Sequence, residues 1–115
     1  MVMHILEKQF EFSKMLAELI LYINTCGYTV TMGDAYVPED SYIIHEDGSI
    51  KRVHKINSLH YLRLAQDINL FKDGKYLTKT KDHLPFVEYW EEMGGTWGGR
   101  FNDGNHYSLE HNGYK

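Results

Sequence analysis

A chain of 115 residues that is 43% hydrophobic and 14% aromatic holds enough apolar material for one core and not for two, so one domain spanning 1–115 is expected. Its formal charge of −4 and the absence of a Lys/Arg stripe exclude the electrostatic footprint of a nucleic-acid binder. The longest strongly apolar run, Leu16 to Ile23, contains Glu18 and falls far short of the roughly 20 residues of a membrane span, so no membrane association is expected.

The N-terminus carries Glu7 and Glu11 where a secretory signal would carry basic residues, which predicts synthesis in a cytoplasm without a signal peptide. Phe12, Leu16, Leu19, Ile20 and Ile23 recur at helical spacing and predict a helix over about residues 10–26, stopped by Gly27. The single cysteine, Cys26, excludes an internal disulfide; at the end of an apolar helical pattern it reads as a small buried filler and not as a nucleophile. Tyr28 to Met32 alternates and is rich in β-branched residues, which predicts a strand broken by Gly33 to Asp40 with Pro38. Tyr42 to Ile44 reads as a short strand, and the charged segment from His45 to Asn57 as a mobile loop. Ala65 to Phe71 alternates again, with Ile68 and Leu70 on one side and Asp67 and Asn69 on the other, before a turn at Asp73-Gly74. Pro85 to Met93 predicts a second helix with Pro85 in its first turn and Gly94 behind it, and about Asn105 to Glu110 a final strand. Strands and helices that do not alternate as strand-helix-strand units point to an α+β fold with a small antiparallel sheet and flanking helices.

The chemistry concentrates in two segments, SLHYLRLAQD (Ser58 to Asp67) and DGNH (Asp103 to His106). Two imidazoles and a carboxylate are a three-ligand set that leaves zinc one open position, and a further carboxylate close by can act as a base. Residues seven apart on a straight helix are separated by about 10.5 Å along its axis, a gap that zinc bonds of roughly 2.0–2.2 Å cannot bridge. His60 and Asp67 therefore share a metal only if His60 approaches from a loop while Asp67 projects from the strand that follows. Asp103 and His106 flank the turn-forming pair Gly104-Asn105, which can set both side chains beside one metal, one as ligand and the other facing bound water. The ordinary readings are that a lone histidine is a surface residue and that an aspartate in NDGN is a turn residue.

SLHYLRLAQD resembles the S-x-H-x-x-G-x-A-x-D signature of the zinc D-Ala-D-Ala carboxypeptidase and L-alanyl-D-glutamate endopeptidase family, and DGNHYSLEH resembles its second motif. The likeness runs from the helix near Met15 to the C-terminus and is strongest to a short phage-encoded branch. It implies a Hedgehog/DD-peptidase-like fold, with zinc held by His60, Asp67 and His106 and with Asp103 as catalytic base. It also implies a family serine, Ser58, that binds substrate or orients a ligand. The implied activity is hydrolysis of an amide bond in the peptidoglycan stem peptide by a monomer, made in a bacterial host and acting at the wall after release or as a virion component. The alternative is a non-catalytic wall-binding or phage structural protein. Two positions depart from the pattern. The family glycine is Arg63, and the arginine that relatives carry after the first strand is missing from GDAYVPED, where Val37 and its neighbours stand. Arg63 and Arg100 are the candidate replacements.

Gly94 to Gly99 lacks a following G-K-[ST] and reads as a turn that lets backbone pass close to the site. Trp97, Tyr107 and Tyr89 are candidates for a substrate groove, with core packing the competing role. His111, beside Glu110, is a candidate to support the ligands or touch substrate. His4, His45, His54 and His83 lack partner acids at matching spacing and read as surface residues.

Overall fold

The computed structural model describes residues 4–36, 38, 42–52 and 58–115. The first helix, α1 (Ile5–Thr25), starts five residues earlier than the apolar pattern predicts, because His4 caps it by accepting the Leu6 N–H at 3.2 Å. Its buried face is Phe12, Met15, Leu19 and Ile23, with Leu16 and Ile20 only partly covered. Cys26, at the C-terminal cap, is exposed and not a buried filler: it lies one position past the end of the helix, beyond the last buried turn at Ile23.

Strand β1 (Thr29–Met32) pairs antiparallel with the long β4 (Ala65–Lys72), Met32 opposite Ile68. At Asp73-Gly74 both residues take positive φ, 52° and 75°, the backbone that a two-residue hairpin requires, and β5 (Lys75–Leu77) returns along β4. The other half of β4 pairs with β7 (His106–Ser108), and β7 with the two-residue β6 (Thr96–Trp97), giving one five-stranded antiparallel sheet. The segment expected to be a mobile loop from His45 instead contains β3 (Ile50–Arg52), which pairs with β2 (Tyr42–Ile44) around a tight turn; residues 53–57 of that segment, with His54, lie outside the described residues, as does Val37. Its alternation was hidden by the charges that flank so short a strand.

Helix α2 (Leu84–Glu92) runs from Pro85 in its first turn to Gly94, and buries Phe86, Val87 and Trp90 against α1 and the sheet. Trp90 is the hinge of this packing, edge-on to Phe12 and to Tyr107 at 5.8 Å each. Its indole N–H donates to the carbonyls of Thr96 (3.0 Å) and Ser108 (3.2 Å), so the core ring also fixes the β6–β7 edge. The fold is thus α+β, and its two helices cover one face of the sheet whose centre, β4 and β7, carries the residues of interest. Among the described residues no helix is long and apolar enough to cross a membrane.

Candidate metal centre

His60 sits in a single 3-10 turn, Leu59–Leu62, and Asp67 on β4, the loop-then-strand arrangement that the spacing demanded. Ser58 builds the turn: its hydroxyl accepts the His60 N–H at 3.3 Å. The chain leaves the turn through Arg63, whose φ of 58° and ψ of 34° are left-handed. That backbone suits glycine and costs other residues about 1–2 kcal/mol, which explains why a glycine in this position is the easier solution. The Arg63 guanidinium is held over the Tyr36 ring, 3.8 Å from its centroid.

The backbone of Asp67 faces β1: its N–H donates to Asp34 O and its carbonyl accepts from Gly33 N, both at 2.8 Å. Its pairing with His106 on the other side is therefore of the non-hydrogen-bonded kind, in which Cα atoms approach to about 4.5 Å and side chains stand closest. The strand register alone brings the two groups together. Buried Gln66 pins the segment after β1 by donating to Asp67 O (2.8 Å) and Gly33 O (3.2 Å). Two residues on, the Ala35 carbonyl accepts from His60 Nδ1 at 2.8 Å, and this bond sets the ring.

With Nδ1 donating, the lone pair of neutral His60 lies on Nε2, which faces Asp67 Oδ1 at 3.2 Å; His106 Nδ1 approaches the same oxygen at 3.4 Å. Ligand atoms of all three residues lie within 4.8 Å of one another. His60 and His106 are 2% and 4% exposed, and Asp67 Oδ1 and both ring nitrogens of His106 have no hydrogen-bond partner among the described residues. Such orphans are costly in a folded protein unless a cation occupies the space between them. The electrostatics point the same way. Burial works against the Asp67 carboxylate, yet the imidazoles of His106 and His60 outweigh it and hold its pKa at about 2. Burial likewise depresses His60, and the Asp67 carboxylate more than offsets it, so the ring is raised overall. The cluster is a site for positive charge, and two imidazole nitrogens with one carboxylate oxygen suit a transition metal such as zinc better than an all-oxygen cation.

Asp103 stands at the mouth of the cluster, half exposed, with Oδ2 3.8 Å from His106 Nδ1. The turn that carries it is closed by His106 N–H donating to Asp103 O at 3.1 Å and by Asp103 N–H donating to Gly98 O at 2.8 Å. Gly98 shows why the glycine-rich segment passes here: a Cβ on it would overlap the Asp103 carbonyl and sit 2.6 Å from His106 Cβ. Trp97 is buried, and its indole N–H donates to Gly104 O at 2.7 Å. It braces the Asp103 turn from below and does not line an open groove. Tyr107 is likewise buried, and Tyr89 stacks on Tyr22 at 4.1 Å.

The structure brings Ser58, His60, Asp67, Asp103 and His106 together and sets other residues apart. Arg100 makes a bidentate pair with Glu91 of α2 at 2.7 and 2.8 Å. His111 forms an isolated bridge with Tyr114 and accepts from Asn112, and is not among the grouped ligand residues. His4 and His45 are exposed, but His83 is not a surface residue: it is 3% exposed, because the 3-10 turn Thr80–His83 folds it under the sheet against Tyr107. Gln66, the Ala35 carbonyl and Gly98, which hold the ligands in place, have no spacing signal in the chain that marks them.

A family model described as D-alanyl-D-alanine carboxypeptidase matches residues 52–109, half of the chain, and spans every residue of the cluster. No curated protein matches the chain.

Proposed function

The chain belongs to the D-alanyl-D-alanine carboxypeptidase family, and from that premise we propose that it is a zinc peptidase, one domain in extent, that hydrolyses an amide bond in the peptide stem of bacterial peptidoglycan. The bond is D-Ala-D-Ala or L-Ala-D-Glu, and the setting is a phage-encoded wall-degrading enzyme, as in the short branch that the motifs resemble. What carries the reading is the convergence of ligand atoms of His60, Asp67 and His106 on one space, those of Asp67 and His106 without hydrogen-bond partners among the described residues, with a carboxylate at its mouth.

His60, Asp67 and His106 would hold the metal. A zinc ion there supplies Lewis acidity, lowering the pKa of a water and polarising a carbonyl. Asp103, half exposed beside the ligands, accepts a proton from the attacking water and returns it to the leaving amine. Ser58 shapes the turn that presents His60, and the Ala35 carbonyl, accepting from Nδ1, keeps the ring in the tautomer whose lone pair is on Nε2. The Asp67 carboxyl, held down at about 2 by the neighbouring imidazoles, is a carboxylate ready for a cation at neutral pH. Arg63, exposed on Tyr36, is the nearest cation to the metal ligands in sequence and offers a planar fork to a substrate carbonyl or carboxylate.

A non-catalytic wall-binding or phage structural role is favoured by one observation: Gly33 to Tyr36 carry no arginine, and Arg100 is committed to Glu91. Incubating zinc-loaded protein with purified peptidoglycan and weighing the soluble fragments separates the two. Release of peptides cut at one stem bond, abolished by chelator and restored by zinc, is expected; intact stems throughout would leave the binding role.

A further inference from the structure

Beside the metal ligands lies a polar cleft of about 270 Å³, bounded by the β4–β5 hairpin, the Thr80–His83 turn and the loop from Asn102 to Asn105. Asp103 is shared: it lines the cleft and stands 3.8 Å from His106 Nδ1, so whatever occupies the cleft lies next to the cluster. Lys79 is the cation of its lining and Asp103 the carboxylate, while Asn69, Asn102 and Asn105 add amides. Among the described residues Lys79 has no ion-pair partner.

His83 also lines the cleft, although it is 97% buried by its neighbours, being 3% exposed. Its Nδ1 lies 2.7 Å from the Tyr107 hydroxyl. Tyr107 is fully buried, so its phenol hydrogen needs an acceptor; among the described residues His83 Nδ1 is the one at hand. The phenol therefore donates to Nδ1, and the imidazole hydrogen resides on Nε2, for which no hydrogen bond is found among the described residues. Burial holds the His83 pKa at about 4, so this is a neutral donor at physiological pH. A neutral N–H fixed in the wall and an uncommitted ammonium, with amides between, are complementary to an anion that carries hydrogen-bond acceptors.

We propose that this cleft is a recognition subsite for a carboxylate of the peptide substrate, with Lys79 as its countercharge and His83 Nε2–H as a hydrogen-bond donor. The inference rests on the stem-peptide reading for the identity of the ligand. Both carboxylates that flank the proposed scissile bonds, the C-terminal one of D-Ala and the α-carboxylate of γ-linked D-Glu, are carboxylates of N-acylated D-amino acids. Lys79 and His83 are binding residues in this assignment, not catalytic ones.

The test is a chemical-shift titration of the isotope-labelled full chain with N-acetyl-D-alanine and with N-acetyl-D-glutamate γ-methylamide, each against its α-carboxamide. The expected result is that at least one acid moves the amide signals of Lys79, Thr80 and Asn102 to Asn105, and binds roughly 10- to 100-fold more tightly than its carboxamide, the range for a charged hydrogen-bonded contact. The stronger of the two acids names the source. Lys79→Ala, at an exposed position that leaves the fold intact, should erase the preference for the acid, and Lys79→Arg should keep most of it. Equal binding of acid and amide, an unchanged preference in Lys79→Ala, or shifts confined to residues outside the cleft would overturn the assignment. Acid binding in the cleft of a chain that cuts no stem peptide sinks the hydrolase reading and leaves the subsite standing. Cleavage of stem peptide with a KM unmoved by Lys79→Ala does the reverse.

Discussion

Replacing Gly98 by alanine tests how tightly the backbone behind the cluster is built. The added Cβ would overlap the Asp103 carbonyl and lie 2.6 Å from His106 Cβ and 3.1 Å from its Cγ. Carbon atoms pack at about 3.5–4.0 Å, so the neighbours must retreat by roughly 1 Å at a β7 residue that is locked opposite Asp67 by strand register. Overpacking of this kind costs about 1–3 kcal/mol, and because the Trp97 indole also ties this turn to Gly104, little of the strain can relax outward. A ligand set tolerates errors of only about 0.2 Å. Gly98→Ala should therefore unfold at lower denaturant concentration by that amount and bind zinc at least about ten-fold more weakly, the order seen when groups supporting metal ligands are lost. Urea titration gives the first quantity and competition against a chromophoric chelator the second. A variant with wild-type stability and zinc affinity would refute the claim that the glycine exists to let His106 and Asp103 pass behind it.

Asp103→Asn should keep the fold and the zinc, since the side chain is half exposed and lies beside the ligands, yet lose about 10²- to 10⁴-fold in kcat for stem-peptide cleavage; near-normal turnover would move the base elsewhere. Arg63→Gly should be more stable than Arg63→Ala by about 1 kcal/mol, the reverse of the usual order, because a left-handed residue with φ of 58° favours glycine; equal midpoints in urea would refute it. His83, held neutral with a pKa of about 4 against an ordinary 6.5, gives stability that is full above pH 6.5 and is lost as pH falls through the folded pKa, since the unfolded chain takes the proton first. The loss is about 3 kcal/mol, and subtracting the pH profile of His83→Gln, both measured in chelator, isolates it; parallel profiles would argue against the buried neutral imidazole. Tyr107→Phe leaves His83 Nδ1 without its donor and should cost about 1–3 kcal/mol in the same assay, with no change in zinc content.

Local patterns in the chain carried the two helices, β1, β2, β4, β7 and the Asp73-Gly74 turn, because each depends on periodicity or on residue types within a few positions of one another, while the metal-cluster residues stood out by their types and by the resemblance of their two segments to a family signature. Even the demand that His60 leave the helix geometry follows from the rise per residue alone. The short strands β3, β5 and β6 carry no alternation that registers and exist because a partner strand supplies their hydrogen bonds. The fate of single side chains likewise depended on distant contacts. Arg100 turns to Glu91 across nine residues, and Cys26 falls just beyond the last core turn. His83, with nothing in its neighbourhood to mark it, is buried because Tyr107, 24 positions later, meets it at 2.7 Å. Composition and spacing state which chemistry a chain can perform; which atoms are desolvated, oriented and left without partners is a property of long-range packing, and that is what turns three residues into a site for a cation.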